Sequence, residues 1–301
     1  MAPSGKAVVA GVAGWPVSHS RSPRLHGHWL ERYGIDGLYA PFPIAPARFE
    51  AAISGLAAAG LAGLNVTVPH KEAAFRLCES HDAVAEILSA ANTLVFNADG
   101  SIEGRNTDVF GFAENLKAAG QGDLHGSAVV LGAGGAARAV VLALQQLGIA
   151  HVRLANRTRD RATAVADDLG NTAPGATVRS IEVVDWSDRS AALAGASVLV
   201  NATSLGMQDQ PALDIVLDDL PNDALITDIV YTPLTTPLLH AARQKGNEVV
   251  DGLGMLLHQG RPGFRAWFGV DPAVDADLRR AVAGDLMDQD AVMASTPAGP
   301  D

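Results

Sequence analysis

The stretch VVLGAGGAAR, residues Val129–Arg138, decides the fold of this 301-residue chain. Three apolar residues with strand character lead directly into a glycine-rich turn, and an alanine-rich segment with helical periodicity continues to Gly148. Glycines let backbone N–H groups approach a pyrophosphate closely, and a helix N-terminus favours negative charge. The order of strand, glycine turn and helix therefore predicts a unit that binds a dinucleotide.

A second predicted strand, Val152–Ala155, follows at about the 20-residue spacing expected of such a unit. Enzymes that use NAD usually carry an acidic residue at its end, whereas this chain continues with Asn-Arg-Thr-Arg-Asp-Arg at 156–161. Guanidinium groups suit a phosphate better than a bare ribose hydroxyl pair. These residues predict an NADP(H) site, and the alternative is a tight turn before a solvated basic helix start.

Composition excludes several classes of partner. The formal net charge is −11 and only 5% of the residues are aromatic, which disfavours binding to nucleic acid or to an anionic membrane. No segment reaches the ~18 apolar residues of a membrane span, and the N-terminus does not resemble a signal peptide. The single cysteine, Cys78, cannot form an internal disulfide, so we expect a cytoplasmic protein. The oligomeric state stays open, and a homodimer is compatible with the sequence.

Strand and helix patterns alternate along the chain, which is typical of an α/β protein with mainly parallel sheets. We expect two domains: an N-terminal α/β domain formed by residues 1–107 and 252–287, and a Rossmann-like NADP-binding domain over 108–251. Residues 288–301 are polar, small and proline-containing, and we expect them to be disordered.

Local patterns place the main elements. In the first domain we predict a strand over Ala7–Ala13, a helix over Pro23–Tyr33 with Ser22 as N-cap, an edge strand over Leu38–Ile44 and a hairpin around 97–100. In the second domain we predict strands near 128–131, 151–155, 176–180, 197–201 and 225–229. Helices over Met255–Phe268 and Asp275–Met287 are expected to pack back on the first domain.

Three polar clusters of the first domain could carry chemistry. Hydroxyls before a helix start, in Ser18–Pro23, make either an anion site or a capped, solvated helix start, and the residues alone do not separate the two. The strand end at Asn65–Glu72 presents Lys71, a group able to donate a proton to a carbonyl oxygen, although a surface lysine is the plainer interpretation. The third cluster joins Asn92-Thr93 to Asn106-Thr107-Asp108, where Asp108 could orient a lysine, cap the next helix, or do both.

Histidine is the commonest proton carrier, so three histidines beside these clusters are rivals to Lys71: His19, His70 and His258. Histidines that flank a motif more often fill space or cap a helix. Neither an HExxH motif nor a cysteine cluster is present, and we expect no metal site.

The chain resembles the shikimate dehydrogenases. The motifs SHSRSP, NVTVPHK, AANT, GRNTD, GAGGAAR, NRT, NATSLGM, YTP and GLGMLLHQ occur in the family's order and spacing, from about Val8 to about Phe268. The resemblance implies an N-terminal α/β catalytic domain, completed by C-terminal helices, and a Rossmann-like NADP domain. It also implies reversible reduction of 3-dehydroshikimate to shikimate with NADPH, in the biosynthesis of chorismate and aromatic amino acids.

The resemblance also implies roles for individual residues. The catalytic pair would be Lys71 and Asp108. The substrate carboxylate and ring hydroxyls would be bound by Ser20, Ser22, Thr67, Asn92, Tyr231 and Gln259. The pyrophosphate would lie against Gly132, Ala133, Gly134, Gly135 and Ala136, and the adenosine 2′-phosphate against Asn156, Arg157, Thr158 and Arg161. The nicotinamide side would be lined by Thr203, Ser204, Val230 and Gly252.

The chain departs from the family pattern at two places. Val109 stands where a glycine commonly follows NTD, and Ala90-Ala91-Asn92-Thr93 replaces the common GAVNT. Both changes alter packing beside predicted catalytic positions without removing a reacting group. The alternatives are a quinate/shikimate dehydrogenase that uses NAD or NADP, a non-catalytic regulatory module that binds shikimate or NADP, and a folate-linked dehydrogenase, which the serine cluster disfavours.

Overall fold

The computed structural model of the protein describes residues 3–170, 180–284 and 286. The described residues form two compact units, of which the first contains those up to Gly111 together with Leu256–Val282. The second contains those from Phe112 to Met255 and the few described residues from Ala283 onward. Asp108 thus belongs to the first unit and Gly252 to the second. The predicted disordered tail, 288–301, and most of the strand predicted near 176–180 lie outside the described residues.

The helices and strands follow the predicted alternation. Those up to the first unit boundary are β1 (Val8–Gly14), α1 (Ser22–Arg32), β2 (Gly37–Pro43), α2 (Phe49–Ala58), β3 (Gly63–Val66), α3 (Lys71–Leu77), β4 (Ser80–His81), α4 (Ala83–Leu88), β5 (Thr93–Phe96), β6 (Ile102–Arg105) and α5 (Asp108–Ala118). Those that follow are β7 (Ser127–Leu131), α6 (Gly135–Gln146), β8 (His151–Ala155), α7 (Arg159–Gly170), β9 (Ser180–Val184), β10 (Val198–Asn201), β11 (Leu225–Asp228), α8 (Pro237–Lys245), β12 (Glu248–Val250), α9 (Leu253–Phe268) and α10 (Ala276–Ala283).

The first unit is built on a six-stranded sheet of order β2-β1-β3-β5-β6-β4. The β1/β2, β1/β3 and β4/β6 pairs are parallel, whereas β5 runs antiparallel to both β3 and β6. The β5–β6 pair is the predicted hairpin, and β2 lies at the predicted sheet edge. The antiparallel β5 brings Thr93 beside Asn65 of β3, so polar residues from two sequence clusters meet on adjacent strands.

One local prediction is wrong. The helix α1 begins at Ser22, not after it, and its N-cap residue Arg21 makes no side-chain capping bond. The backbone N–H of Ser22 donates to Ser20 Oγ at 3.3 Å, and the Ser22 side chain is hydrogen-bonded to Tyr39. The hydroxyl that the pattern assigned to capping therefore has a partner on the neighbouring strand β2.

An aromatic cluster joins α1 to α9 inside the first unit. Trp29 is fully buried and meets the Phe264 ring at a centroid distance of 5.2 Å, and His26 stacks on Tyr39 at 3.9 Å. Burial among these rings lowers the pKa of His26 to about 3, so the imidazole is neutral at pH 7. The indole of Trp267 donates to the carbonyl oxygen of Leu94 at 3.0 Å. The part of α9 from Leu256 onward thus belongs to the first unit.

The second unit is a parallel doubly wound sheet of order β12-β11-β10-β7-β8-β9. The chain runs outward from β7 through β8 to β9, and then returns to β10 on the other side of β7. Ligands of such sheets bind beyond the carboxyl ends of the strands where the order reverses. That point lies between β7 and β10, so the loops after Leu131 and Asn201 flank it.

Two findings on the described residues concern membranes and metal ions. Within the described ranges, no helix has the length and apolar character needed to cross a membrane. In the same part of the chain, no group of three or more His, Cys, Asp or Glu side chains is placed so that it could hold a metal ion.

Candidate active site

The predicted catalytic pair meets inside the first unit. Lys71 is the first residue of α3 and Asp108 the first of α5, and the ammonium group donates to Asp108 Oδ2. The Asp108 side chain is only 4% exposed, and that of Lys71 is 18% exposed. The surface-lysine interpretation of Lys71 is therefore wrong, since this ammonium sits against a buried carboxylate with one side open to solvent.

Asn92 completes the pair and is itself firmly oriented. Its Nδ2 donates to Asp108 Oδ1 at 2.8 Å, so the two carboxylate oxygens accept from two different side chains. Its Oδ1 accepts from the backbone N–H of Thr107 at 2.8 Å, and from the hydroxyls of Thr107 and Thr93 at 3.2 and 3.1 Å. All these groups are buried, so the amide has one orientation and Asp108 is held in place.

The network continues to the serine cluster through residues to which the sequence assigned no role. Thr93 Oγ1 accepts from Asn65 Nδ2 at 3.1 Å, and Asn65 Oδ1 accepts from the Tyr39 hydroxyl at 2.6 Å. Tyr39 is hydrogen-bonded in turn to the side chain of Ser22, while burial raises the pKa of its phenol well above the ordinary value. An unbroken chain of hydrogen bonds thus links Ser22 to Asp108.

A signal for two of these residues exists in the sequence. Asn65 is a polar residue inside the otherwise apolar strand β3, and Thr93 opens an apolar strand. A polar group in a buried strand needs a hydrogen-bond partner. Tyr39 carries no such signal, because its hydroxyl reaches Asn65 across the intervening strand β1.

The other residues predicted to bind substrate in the first unit are spread over three segments. Ser20 is half-buried and Ser22 is buried at the start of α1, and half-buried Thr67 follows β3, where its N–H donates to Ala13 at 2.9 Å. Gln259 is half-buried on α9. Tyr231 lies in the second unit, in the loop after β11.

The three rival histidines differ in their surroundings. His70 is 2% exposed, its Nε2 lies 2.7 Å from the carbonyl oxygen of Ile44, and its ring stacks on Phe49. His19 is exposed, and His258 is half-buried on α9. The backbone contact and the stacking give His70 a structural role in the first unit.

The glycine turn has the shape predicted for it. Gly132 directly follows β7 with a φ of +108°, and a Cβ there would lie 2.8 Å from the carbonyl oxygen of Ala202. A Cβ at Gly134 or Gly135 would meet nothing within 4 Å, which leaves open space at the start of α6. A pyrophosphate fits such a turn, since the N–H groups of the first helical turn have no intrahelical partner. Ala133 and Ala136 are half-buried within the same turn.

The arginines after β8 are not equivalent. Asn156 Nδ2 donates to the carbonyl oxygen of Thr158 at 2.8 Å, which closes the turn, and Arg159 forms an ion pair with Asp185. Arg157 and Arg161 are exposed on either side of that pair. The two arginines predicted to bind phosphate are therefore exposed, whereas Arg159 is held by a carboxylate.

Three further loops of the second unit carry the residues predicted on the nicotinamide side. Thr203 and Ser204 follow β10, and buried Val230 follows β11. Gly252 follows β12, where a Cβ would lie 2.4 Å from the carbonyl oxygen of Ile229, so only glycine fits at this close approach. The loops after β11 and β12 thus lie against each other.

Comparisons with known proteins agree with this arrangement. Family models described as "Shikimate dehydrogenase substrate binding domain", "Shikimate / quinate 5-dehydrogenase" and "Shikimate 5'-dehydrogenase C-terminal domain" match residues 12–94, 116–208 and 252–281. The shikimate dehydrogenase (NADP(+)) of Paramagnetospirillum magneticum is 54% identical over 284 residues, which cover 93% of this chain and 99% of the relative. The chain belongs to the shikimate dehydrogenase family.

Solved structures of the family share the architecture. The shikimate 5-dehydrogenase of Thermus thermophilus, crystallised with NADP(H) and shikimate, is 36% identical with a TM-score of 0.80, and the match covers 91% of this chain and 98% of that one. The quinate dehydrogenase of Corynebacterium glutamicum, crystallised with NAD, is 31% identical with a TM-score of 0.84 and the same coverage. The predicted α/β class with a Rossmann-like domain is confirmed.

The shikimate dehydrogenase family models leave one part of the candidate site uncovered. Asp108 lies in the interval 95–115 between the first two matches, whereas Lys71 and Asn92 lie inside the first. The contact of Asp108 with both residues connects it to the substrate-binding domain in this chain.

Proposed function

We propose that this protein is an NADP-dependent shikimate dehydrogenase, which catalyses the reversible reduction of 3-dehydroshikimate to shikimate with NADPH. The observation that carries the proposal is the buried ion pair of Lys71 with Asp108, in a member of this family. The family supplies this reaction to chorismate and aromatic amino acid biosynthesis. The same pair argues against a non-catalytic regulatory module, because binding alone does not require an ammonium group on a buried carboxylate.

The second unit fits NADP(H) by its residue chemistry. The open cradle at Gly134 and Gly135 accepts a pyrophosphate, with Gly132, Ala133 and Ala136 completing the turn. The 2′-phosphate would contact Arg157 and Arg161 beside the turn that Asn156 and Thr158 close. When bound, the cofactor supplies or receives the hydride. Thr203, Ser204, Val230 and Gly252 would line its nicotinamide end.

In the first unit each polar group has a distinct task. The hydroxyls of Ser20 and Ser22 bind the substrate carboxylate, and the ring hydroxyls are bound by Thr67, Asn92 and Gln259. Lys71 Nζ donates a proton to the oxygen that becomes the hydroxyl during reduction, and it takes that proton back during oxidation. Asp108 and Asn92 fix the position of the ammonium group.

The proposal predicts the outcome of a four-way rate measurement. Shikimate with NADP⁺ should give the highest kcat/KM, measured as NADPH absorbance, and quinate or NAD⁺ should each lower it. A chelator should not change the rate. Absence of NADPH formation from shikimate by a protein that binds both ligands would contradict the proposal.

A quinate/shikimate dehydrogenase that uses NAD is the second candidate, because the Corynebacterium quinate dehydrogenase matches with a TM-score of 0.84. The exposed Arg157 and Arg161 favour the NADP enzyme. A higher kcat/KM for quinate with NAD⁺ than for shikimate with NADP⁺ would reverse the order of the two candidates.

A second prediction concerns the cofactor phosphate. The double variant Arg157→Ala/Arg161→Ala should bind NADP⁺ about 10- to 100-fold more weakly and bind NAD⁺ almost as before, since bonds to a charged group contribute ~1.5–3 kcal/mol. The matched control is Arg159→Ala, which removes an arginine of the same segment that is paired with Asp185. Equal losses for both cofactors, or an equal effect of the control, would contradict the assignment.

We also propose a cytoplasmic location, compatible with the single cysteine. A homodimer remains an option that light scattering of the purified protein would decide.

A further inference from the structure

A buried carboxylate in the second unit has no role in the proposed chemistry. Asp228, the last residue of β11, is fully buried and accepts three hydrogen bonds. Its Oδ1 accepts from the backbone N–H of Val230 at 3.0 Å and from Asn201 Nδ2 at 3.0 Å, and its Oδ2 accepts from the hydroxyl of Thr236 at 2.8 Å. An ionised side chain is costly to bury, so an arrangement of this kind calls for an explanation.

The first donor to this carboxylate shapes the loop after β10. Asn201 Nδ2 also donates to the carbonyl oxygen of Leu205 at 3.0 Å. Its Oδ1 accepts from the N–H and the hydroxyl of Thr203 at 3.1 and 2.7 Å, and the Thr203 hydroxyl accepts from the N–H of Leu205 at 3.0 Å. Asp228 therefore fixes the amide that folds the turn carrying Thr203 and Ser204.

The other two donors shape the loop after β11. The Val230 N–H sets the backbone immediately after the strand, and Thr236 is the N-cap of α8, where its side chain accepts from the N–H of Leu239. The segment between them contains Tyr231. Asp228 thus accepts hydrogen bonds from residues that shape the loop after β10 and the loop after β11. Residues of both loops are proposed to line the nicotinamide end of NADP(H).

We propose that Asp228 is a positioning residue for the cofactor, which holds the loops after β10 and β11 in the form that receives the nicotinamide end. The inference rests on the proposed function, because that function assigns these loops to NADP(H). Asp228 acts through Thr203, Ser204 and Val230 and does not itself touch the cofactor.

The protonation state of this carboxyl provides a readout. Burial raises the pKa of Asp228 to about 6, against the opposing effect of its three hydrogen bonds. Because this pKa lies above that of the unfolded chain, the associated stabilisation is full below pH ~4 and is lost as the pH rises through about 6. Charged or titratable side chains on the neighbouring elements are His240, Arg243 and Lys245 of α8, Glu248 of β12, and Asp251, which follows β12.

Protonation below pH ~6 would turn one accepting oxygen into a donor, so the hydroxyl of Thr236 would have to accept instead of donate, and the three loop contacts would no longer be strengthened by a negative charge. In the wild-type protein the affinity for NADP⁺ should therefore decrease as the pH is lowered, because Asp228 becomes protonated. The 2′-phosphate of NADP⁺ itself titrates near pH 6, so a variant without this carboxyl is needed as the reference.

The experiment compares wild type with Asp228→Asn by NADP⁺ titration of intrinsic fluorescence between pH 5.5 and 8. Asparagine keeps one oxygen, which can accept from Val230 and Asn201, but its NH₂ group forces the hydroxyl of Thr236 to accept instead of donate, and none of the three bonds is then strengthened by a charge. At pH 8 the variant should bind NADP⁺ about tenfold more weakly. Its unfolding midpoint at pH 8 should be unchanged or raised, because it no longer buries a charge. The additional weakening of wild type below pH 6.5 should be absent from the variant.

Two sets of controls keep the result interpretable. Thr236→Val removes one donor to Asp228 and should weaken NADP⁺ binding, whereas Thr236→Ser keeps the hydroxyl and should restore it. Asn247→Ala removes buried hydrogen bonds to Pro221 and Ala224, elsewhere in the same unit. It should lower the unfolding midpoint without changing the affinity for NADP⁺.

The outcomes separate the inference from the proposed function. If wild type binds NADP⁺ and Asp228→Asn binds it equally well, the inference is overturned and the proposed function stands. If wild type does not bind NADP⁺, both fall. If Asp228→Asn does not fold, the Thr236 pair decides, and equal affinities of the valine and serine variants would overturn the inference.

Discussion

Lys71→Ala is expected to lower kcat about a thousandfold in both directions of the reaction. General acid–base groups contribute roughly 10²- to 10⁴-fold, and a factor of a thousand corresponds to about 4 kcal/mol of barrier. In the contact between Lys71 and Asp108 the ammonium group is the hydrogen-bond donor. The measurement is initial rate of NADPH formation and consumption at saturating substrate, with circular dichroism as the check of folding.

Two further variants separate proton transfer from charge. Lys71→Arg keeps a positive charge but cannot give up its proton, since a guanidinium group stays protonated in proteins. It should therefore be nearly as slow as Lys71→Ala. Lys117→Ala, at an exposed lysine paired with Glu114, should retain the full rate. A Lys71→Arg variant with near-normal kcat would show that Lys71 acts only as a charge, and a near-normal Lys71→Ala would remove it from the mechanism.

The nucleotide-binding unit could be predicted from sequence because its signals are local. The run Val129–Arg138 contains its own strand, turn and helix start, and Gly132 adopts the positive φ that only glycine takes readily. The proposed catalytic pair could be predicted only as two separate strand-end clusters. Their meeting depends on the antiparallel β5–β6 hairpin, which delivers Asn92 and Asp108 to the same place as Lys71.

Contacts between strands that are distant in sequence could not be predicted in the same way. Tyr39 reaches Asn65 only because β2 and β3 both lie beside β1. The sequence of either strand does not indicate that the other strand lies on the far side of β1. The hydrogen bond of Tyr39 with the Ser22 side chain explains why the prediction of Ser22 as N-cap is wrong. A capping preference depends on neighbouring residues in the sequence and cannot include a phenol that another strand supplies. Asp228 could not be singled out from the sequence, because a single aspartate at the end of an apolar strand is typical of an ordinary turn.

Asp108→Asn is expected to lower kcat by about a hundredfold to a thousandfold while keeping the shape of the side chain. The carboxylate accepts from Lys71 on one oxygen and from Asn92 on the other. Asparagine has one oxygen, so its amide must face either the ammonium or the Asn92 amide, donor against donor. A displacement of about 1 Å in the proton donor can cost about a hundredfold in rate. The measurement is kcat with shikimate and NADP⁺, together with the unfolding free energy.

The free energy of unfolding should decrease as well, because Asp108→Asn removes the charge of one partner of an ion pair and leaves the other charged. The Asp108 side chain is only 4% exposed. We expect a loss of ~3 kcal/mol for Asp108→Asn. The matched control is Asp275→Asn, which breaks the exposed pair with Arg32 in the same unit and should cost less than ~1 kcal/mol with no change in kcat.

The double variant Lys71→Ala/Asp108→Asn then tests whether the two groups act as one device. If Asp108 works by holding Lys71, its loss has nothing left to disturb once the lysine is gone, and the double variant should be no slower than Lys71→Ala alone. If the rate losses of the two single variants multiply in the double variant, Asp108 has a role of its own, such as accepting a hydrogen bond from a substrate hydroxyl. A near-normal kcat for Asp108→Asn would contradict both roles and leave the buried pair as a purely structural contact.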